Sequence, residues 1–395
     1  MRVREIVVIG GGNAGLSCAA RILRRRTGET ARVTVVEPSP THTYSPMLSY
    51  VGSGMAGLSS VCKAQRRYMP SGARWLRARV TRVDPQARTV ALDNGTELDY
   101  GDLVVAPGIA PDLDRVPGLT EALNGPHAAS NYITQLAPKT WDLMSGLRGG
   151  TAVFTVRFDD AACGGVGYKP LFMACDHWRR TGVLEDLRVR VVVEAPELFP
   201  EPRVAGHIAD ALRGYGVEAV LDARIESVDP EARALRITRN GAPETVEYDA
   251  LHVVPPHRAP AWIVDSGLAD DGGAGRVAVD PETLRHVRFP HVWSLGDAAG
   301  LGVMSSGGAI RSQSPVLVHN IFAASSAQFQ RYDGYTVAPI ALSRRTLLLA
   351  EVDRKLRPEP SFGVRDLANP RPWTFLFDRW LQPALYWKGI LRGLI

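Results

Sequence analysis

Two sets of residues in this sequence have the types and the spacing to do chemistry. Gly10, Gly12 and Gly15 form a G-x-G-x-x-G turn, and Glu37 lies 22 positions after the last of them. Between a strand and a helix, the first glycine of such a turn makes the tight bend. The second lets the backbone approach a pyrophosphate, and the third lets helix and strand pack closely. The helix start then offers free N–H groups to the anion, and Glu37 is placed to accept the ribose hydroxyls of an adenosine. The second set centres on a thiol, Cys163, in the run Cys163-Gly164-Gly165-Val166-Gly167 just before a predicted helix. N–H groups and a helix dipole at that point favour a thiolate. Taken alone, a single cysteine is as readily a buried, inert side chain.

The elements around the glycines are those a dinucleotide needs. Residues 3–9 read as an apolar strand, 10–15 as the turn, and 32–36 as a second strand ending on Glu37. The loop with Pro38, Pro40 and Pro46 cannot continue a strand and is expected beside the cofactor. Residues 73–84 read as two short strands, and 89–92 with 97–100 as a hairpin closed by Asn94-Gly95. Leu103-Val104-Val105-Ala106-Pro107-Gly108 then returns to the parallel sheet.

A second α/β pattern begins near Thr151, with strand 151–156, helix 167–180, strand 189–194 and helix 203–215, followed by short strands to Val254. No glycine fingerprint follows either strand. Val193 runs into Glu194-Ala195-Pro196, and the loop after the first strand holds Asp159, Asp160 and then the Cys163 run. The expectation is therefore that there is no nicotinamide site. His291-Val292-Trp293-Ser294-Leu295-Gly296-Asp297 restores an apolar strand ahead of a helix starting near Gly307. An aspartate there can hold a ribityl hydroxyl of FAD while the helix N-terminus faces the charge developing on the flavin ring. The alternative for Asp297 taken by itself, a helix cap, is the weaker reading.

The expected fold class is α/β: two Rossmann-like domains of the FAD/NAD(P)-binding type with a C-terminal amphipathic helical tail. Residues 1–112 and 286–330 are expected to form the FAD-binding domain. Residues 113–285 are expected to form the second Rossmann-like domain, and 331–395 a C-terminal region. The candidate cofactor-binding residues are Gly10, Gly12, Asn13, Ala14, Gly15, Glu37, Val80, Ala106, Pro107, Gly108, Gly296, Asp297, Ser306 and Gly307. Cys163 is the candidate catalytic residue.

A chain of 395 residues suffices for two or three domains. Lys plus Arg exceeds Asp plus Glu by 46 − 41 = 5. No Lys/Arg-rich block with interleaved aromatics occurs, so no nucleic-acid partner is expected. Cys18, Cys62, Cys163 and Cys175 are too few and too irregularly spaced for a disulfide framework, and no C-x-x-C pair suggests zinc. With the first strand at Val3 there is no room for a signal peptide ahead of the fold, and a cytoplasmic protein is expected.

Nearly the whole chain resembles sulfide:quinone oxidoreductase, in the branch that includes the mitochondrial enzyme. The resemblance is carried by Pro70-Ser71-Gly72-Ala73-Arg74-Trp75, Ser130-Asn131-Tyr132, Lys139-Thr140-Trp141 and His252-Val253-Val254-Pro255-Pro256. Tyr332-Asp333-Gly334-Tyr335-Thr336, Leu349-Ala350-Glu351-Val352-Asp353 and Leu385-Tyr386-Trp387 add to it. It implies an FAD enzyme in which sulfide attacks a disulfide beside the flavin and quinone removes the electrons. Cys163 then corresponds to the first cysteine of that cycle. The second, two residues after Tyr335-Thr336, is replaced by Ala338. Cys175, 12 residues from Cys163 along a predicted helix at about 1.5 Å per residue, is about 18 Å away and cannot substitute, since a disulfide needs Cα atoms within about 7 Å. Cys18 is expected in the core, and Cys62 is unplaced. Gly302-Val303-Met304-Ser305-Ser306 also replaces the family's Pro-Thr-Ser-Lys-Thr, so the lysine is Ser305, with Arg311 the nearest replacement charge.

In the tail, Trp373, Phe377, Trp380, Ala384, Trp387, Leu391 and Leu394 fall on one helical face. Arg371, Arg379, Lys388 and Arg392 interrupt the roughly 20 apolar residues that a span needs, and Pro383 is expected to split the tail into two short helices. An anchor lying on the membrane surface is the expectation, the face packing on the protein itself the alternative.

The leading reading is an FAD-dependent oxidoreductase acting on sulfide or a small sulfur compound through the single thiol of Cys163, with electrons passing to quinone or oxygen. A second is a flavin oxidase or dehydrogenase on the same scaffold, acting on a different small molecule in a biosynthetic pathway. A third is a non-catalytic, flavin-binding, membrane-associated protein.

Overall fold

The computed structural model describes residues 3–25, 30–158, 160–361 and 368–395, and Asp159 lies outside them. In chain order the elements that position the site begin with β1 (Val3–Ile9), α1 (Asn13–Arg24), β2 (Thr30–Val36), β3 (Arg74–Leu76) and β4 (Asp102–Val105). There follow β5 (Ala128–Ala129), β6 (Gly150–Val156), α2 (Tyr168–Thr181), β7 (Leu187–Val193), α3 (Pro202–Tyr215), β8 (Glu218–Val220) and β9 (Ala250–His252). The last are β10 (Val292–Ser294), α4 (Ile310–Ile321), β11 (Thr336–Ala341), β12 (Leu347–Val352), α5 (Pro372–Leu376) and α6 (Gln382–Lys388).

Two parallel five-stranded sheets form the framework, in the orders β10-β4-β1-β2-β3 and β5-β9-β6-β7-β8. The second halves of β1 and β2 are buried on both faces, which explains their unbroken apolar runs where a half-exposed strand would alternate. In each sheet the chain order reverses at a central strand, β1 or β6, and in open α/β sheets the crevice beyond such a strand's C-terminal end is where ligands bind. Beyond β1 is the glycine turn; beyond β6 is the loop to Cys163. The hairpin expected at 89–99 is present, within an antiparallel three-stranded sheet with residues 80–84.

The antiparallel pair β11–β12 joins the two halves. Every residue of both strands is buried. Val337, Ala341, Leu347 and Leu349 enter the core of the first sheet, and Ala338, Ile340, Leu348 and Ala350 that of the second. This is the two-residue period of a strand used on both sides at once.

The expected helix near Gly307 starts as a 3-10 turn, Gly307–Ala309, before α4. The tail is not split at Pro383. α5 and α6 are joined by a π-helical turn, Phe377–Leu381, and Pro383 sits in the first turn of α6. A proline ring clashes with the carbonyl four residues back, and the wider turn just before it accommodates that clash without ending the helix. Among the described residues no helix is long and apolar enough to cross a membrane.

Candidate active site

The glycine turn is built by contact. Gly10 has φ +102°, and a Cβ there would lie 2.1 Å from the Ala106 carbonyl oxygen and 2.9 Å from the Pro107 Cα. A Cβ on Gly15 would lie 1.9 Å from the Gly10 carbonyl oxygen. Nothing lies within 4 Å of a Cβ on Gly12, leaving the start of α1 open to an approaching pyrophosphate. The Glu37 carboxylate accepts the N–H groups of Gly11 and Ser39, both at 2.7 Å. This fixes its orientation while leaving lone pairs for hydroxyl donors.

The second flavin-side segment meets this turn. Asn13 donates from Nδ2 to the Gly307 carbonyl at 2.8 Å, and a Cβ on Gly296 would lie 3.0 Å from the Ala14 Cβ. Asn13 Oδ1 is buried and has no partner within the protein, an acceptor suited to a ligand's hydroxyl or amide donor. Burial pushes the Asp297 carboxyl up, and Arg276 pulls it back. Gly108, at φ +73°, has open space over it. Val80 pairs with Leu92 in the antiparallel sheet. Together these residues fit FAD.

Cys163 lies at the C-terminal end of β6, in the left-handed region at φ 54°, ψ 65°, a strained conformation for a non-glycine residue. Its surroundings require the glycines that follow. A Cβ on Gly164 would lie 2.2 Å from the Arg157 carbonyl oxygen, and one on Gly165 would lie 2.7 Å from the Phe199 ring and 3.1 Å from the Ala338 Cβ. The Tyr132 hydroxyl donates to the Cys163 carbonyl at 3.4 Å. The thiol lies 3.9 Å from the Val337 carbonyl oxygen, which also accepts the Ser306 hydroxyl at 2.8 Å. One backbone oxygen thus gathers the thiol, the start of the flavin-side helix and the neighbour of Ala338.

The expected ease of ionisation at Cys163 is corrected. Burial pushes the thiol up to about 12, Lys169 and the Val166 N–H pull it down, and Asp297 and Asp378 push it up further. Burial is the main cause, and α2 begins only at Tyr168, with Cys163 capping a single 3-10 turn, Gly164–Gly167, ahead of it.

Cys18 and Cys175 are buried, Cys62 is half-buried 3.6 Å from the Thr43 hydroxyl, and all four cysteines are free thiols. Arg311 is committed elsewhere: its guanidinium pairs with Glu351 at 3.3 Å and bonds to the Tyr335 and Ser361 hydroxyls.

The sequence reading missed a buried ion pair. Lys169 on α2 is fully enclosed, and its Nζ lies 2.7 Å from Asp378 Oδ2 on the tail. The Tyr50 hydroxyl donates to the same oxygen at 2.6 Å. The available signal was a lone lysine in the apolar run Tyr168-Lys169-Pro170-Leu171-Phe172. At the second crevice, Arg157 lies between Asp160, at 2.9 Å, and Glu194, at 2.6 Å, and burial pushes the Glu194 carboxyl up to about 7. These charges stand where a second glycine turn would bring a pyrophosphate.

The single apolar face expected in the tail is divided. Trp387 and Leu391 are buried, as are Phe375 and Tyr386, whereas Trp373, Leu376, Trp380, Leu381 and Leu394 are exposed. Tyr386 stacks on Tyr44 with ring centroids 4.1 Å apart, and its hydroxyl meets His42 Nε2 at 2.5 Å. The π-turn rotates one part of the stripe relative to the other, which a uniform helical wheel does not anticipate.

The profile of the pyridine nucleotide-disulphide oxidoreductase family matches residues 4–324. The chain is 31% identical to the mitochondrial sulfide:quinone oxidoreductase of Mus musculus, over 98% of its own length and 86% of that protein's. It is 32% identical to that of Dictyostelium discoideum, over 99% and 86%. The crystal structure of the sulfide:quinone oxidoreductase of Aquifex aeolicus superposes with a TM-score of 0.84 at 16% identity, over 99% of this chain and 92% of that one.

Proposed function

The chain belongs to the pyridine nucleotide-disulphide oxidoreductase family and, within it, to the sulfide:quinone oxidoreductases, and from that premise we propose that it oxidises sulfide or a related small sulfur compound through Cys163. It is an FAD-dependent oxidoreductase. The observation that carries the proposal is the convergence of Cys163, Ser306 and β11 on the Val337 carbonyl, which sets the thiol beside the start of the flavin-side helix.

The residues divide the work. Gly10, Gly12 and the start of α1 receive the pyrophosphate, Glu37 the ribose, and Asp297 the ribityl chain. FAD bound there would supply a two-electron acceptor for the sulfur and a two-electron donor to quinone. Joining hydrosulfide to the Cys163 thiol gives a persulfide, one proton and that electron pair. The position beside the thiol is Ala338, which cannot accept sulfur, so a small external thiol or other nucleophile takes it from Cys163. The Arg157–Asp160–Glu194 cluster supports a second crevice without a nicotinamide. For the tail, exposed Trp373, Leu376, Trp380 and Leu381, flanked by Arg371 and Arg379, support contact with a membrane surface, while Trp387 and Leu391 serve the core. Anaerobic addition of sulfide to the purified enzyme is expected to bleach the flavin band, and an unbleached flavin would remove sulfide as reductant.

A second reading, an oxidase or dehydrogenase for another small molecule, is favoured by Ala338, by Ser305 and by the raised Cys163 thiol. Cys163→Ala separates the two. The sulfur reading expects turnover to fall by about three orders of magnitude or more with the flavin spectrum intact, and undiminished turnover would establish the second.

A further inference from the structure

We propose that Tyr386, on the C-terminal tail, and His42 are positioning residues for the cofactor: the Tyr386 hydroxyl fixes the tautomer with which His42 holds the Gly11 carbonyl, so the glycine turn is set to receive a pyrophosphate only with the tail docked. This rests on the reading of the Gly10–Gly15 turn as the pyrophosphate site.

The middle glycine of Gly10-Gly11-Gly12 is the position that the G-x-G-x-x-G pattern leaves free, yet the structure leaves it no room. A Cβ there would lie 2.4 Å from Gln65 Nε2 and 2.6 Å from the Glu37 Cγ. Gly11 is held at both ends. Its N–H donates to Glu37 at 2.7 Å, and its carbonyl oxygen accepts Gln65 Nε2 at 2.8 Å and lies 3.1 Å from His42 Nδ1. In a trans peptide the C=O and the following N–H point opposite ways. Turning the Gly11 carbonyl towards His42 and Gln65, both buried, therefore turns the Gly12 N–H away from them, and outward N–H groups at this turn are what an anion needs.

A carbonyl oxygen only accepts, so His42 carries its proton on Nδ1. Burial lowers the His42 pKa, which keeps the ring neutral and makes Nε2 an acceptor. The group that meets Nε2 is the Tyr386 hydroxyl, at 2.5 Å, and it is the donor this tautomer requires. The box around the ring is otherwise aromatic: Tyr386 stacks on Tyr44, and Trp387 lies 4.5 Å from Tyr68 and 5.4 Å from His42 between ring centroids. Without the hydroxyl, either Nε2 is stranded as an acceptor or the proton moves to it and the Gly11 bond is lost. The tail also reaches the helix behind the turn, where the Ser17 hydroxyl on α1 donates to the Ile390 carbonyl at 3.0 Å.

The test is the dissociation constant of FAD, read from flavin fluorescence on dilution of the holoenzyme. Tyr386→Phe keeps the ring stack and removes only the donor, and is expected to weaken FAD binding by about tenfold. His42→Asn keeps an N–H donor near the place of Nδ1 and has no tautomer to set, so adding Tyr386→Phe to it should change the constant by about twofold or less. Equal losses in the two backgrounds would assign the effect to tail packing, and an unmoved constant in Tyr386→Phe would leave the hydroxyl without a role; either overturns the inference. Nitrogen NMR of the wild-type His42 ring, assigned by its absence in His42→Asn, should show the proton on Nδ1, and a proton on Nε2 overturns the inference as well. Should His42→Asn not fold, His42→Gln serves in both measurements. Gly12→Asp checks the premise, since Gly12 has φ −77° and open space over it and the new carboxylate would face the pyrophosphate. FAD held as tightly by Gly12→Asp as by the wild type overturns the pyrophosphate reading and this inference together, whereas loss in Gly12→Asp beside an unmoved Tyr386→Phe overturns the inference alone.

Discussion

The sulfur of Cys163 lies 3.9 Å from the carbonyl oxygen of Val337, so the residue that follows, Ala338, stands beside this thiol. Ala338 is fully buried, and its Cβ faces the Cα of Gly165. The buried place beside the thiol is thus held by a residue without sulfur.

Ala338→Cys should restore that sulfur. The Cys163 sulfur already lies 3.9 Å from the carbonyl oxygen of the residue before Ala338, and a disulfide forms where Cα atoms stand roughly 4.4–6.8 Å apart. The expected result is three free thiols by titration where the wild type has four, and a gain in sulfide-dependent quinone reduction followed by quinone absorbance. A disulfide without the gain would show that the rest of the pocket has diverged.

Gly10→Ala should cost the cofactor. Its φ of +102° and the Ala106 oxygen 2.1 Å from the added Cβ leave no room for a side chain. Strain of this kind costs about 1–3 kcal/mol before the clash is counted. Glu37→Ala should act more mildly, stranding the N–H groups of Gly11 and Ser39 at about 1–3 kcal/mol each where they are buried. The ratio of flavin to protein absorbance after purification reads both, with the loss larger for Gly10→Ala.

Acid stability should reveal His252. It is fully buried, its Nε2 lies 2.7 Å from Asn131 Oδ1, and its Nδ1 has no partner. Burial lowers its pKa from 6.5 to about 3. Between these values the unfolded chain binds the proton and the folded one does not. Its contribution is therefore complete above pH 6.5 and is lost as pH falls towards 3, at about 1.4 kcal/mol per pH unit. Urea midpoints measured at pH 7 and pH 5 should differ less in His252→Gln than in the wild type.

Membrane contact should depend on the exposed part of the tail. Trp380 and Leu376 are 65% and 57% exposed. Leu376→Ala with Trp380→Ala is expected to weaken sedimentation with anionic-lipid vesicles by about tenfold or more, since burying each such side chain contributes about 1.5–3 kcal/mol. Unchanged sedimentation would assign the tail to intramolecular packing alone.

The local sequence determined the parts of this protein that depend on neighbours along the chain. The Gly10–Gly15 turn, the strands around it, the Asn94-Gly95 hairpin and the glycine run after Cys163 are all written in contiguous residues, because turn geometry and strand alternation are short-range properties. The absence of a sulfur at Ala338 was legible in the same way, by position within a motif. What the tertiary structure decided depends on residues that meet across long separations. The ionisation of Cys163 is set by burial and by Asp297 and Asp378, which lie far along the chain, and no periodicity in the sequence reports a field. The Lys169–Asp378 pair joins residues 209 positions apart, so Lys169 reads in sequence as an ordinary helix residue. The tail's apolar stripe was visible, but which of its residues are buried was settled by contacts with distant segments, such as Tyr386 and Trp387 on Tyr44, Tyr68 and His42. Side-chain spacing along the tail does not encode those partners.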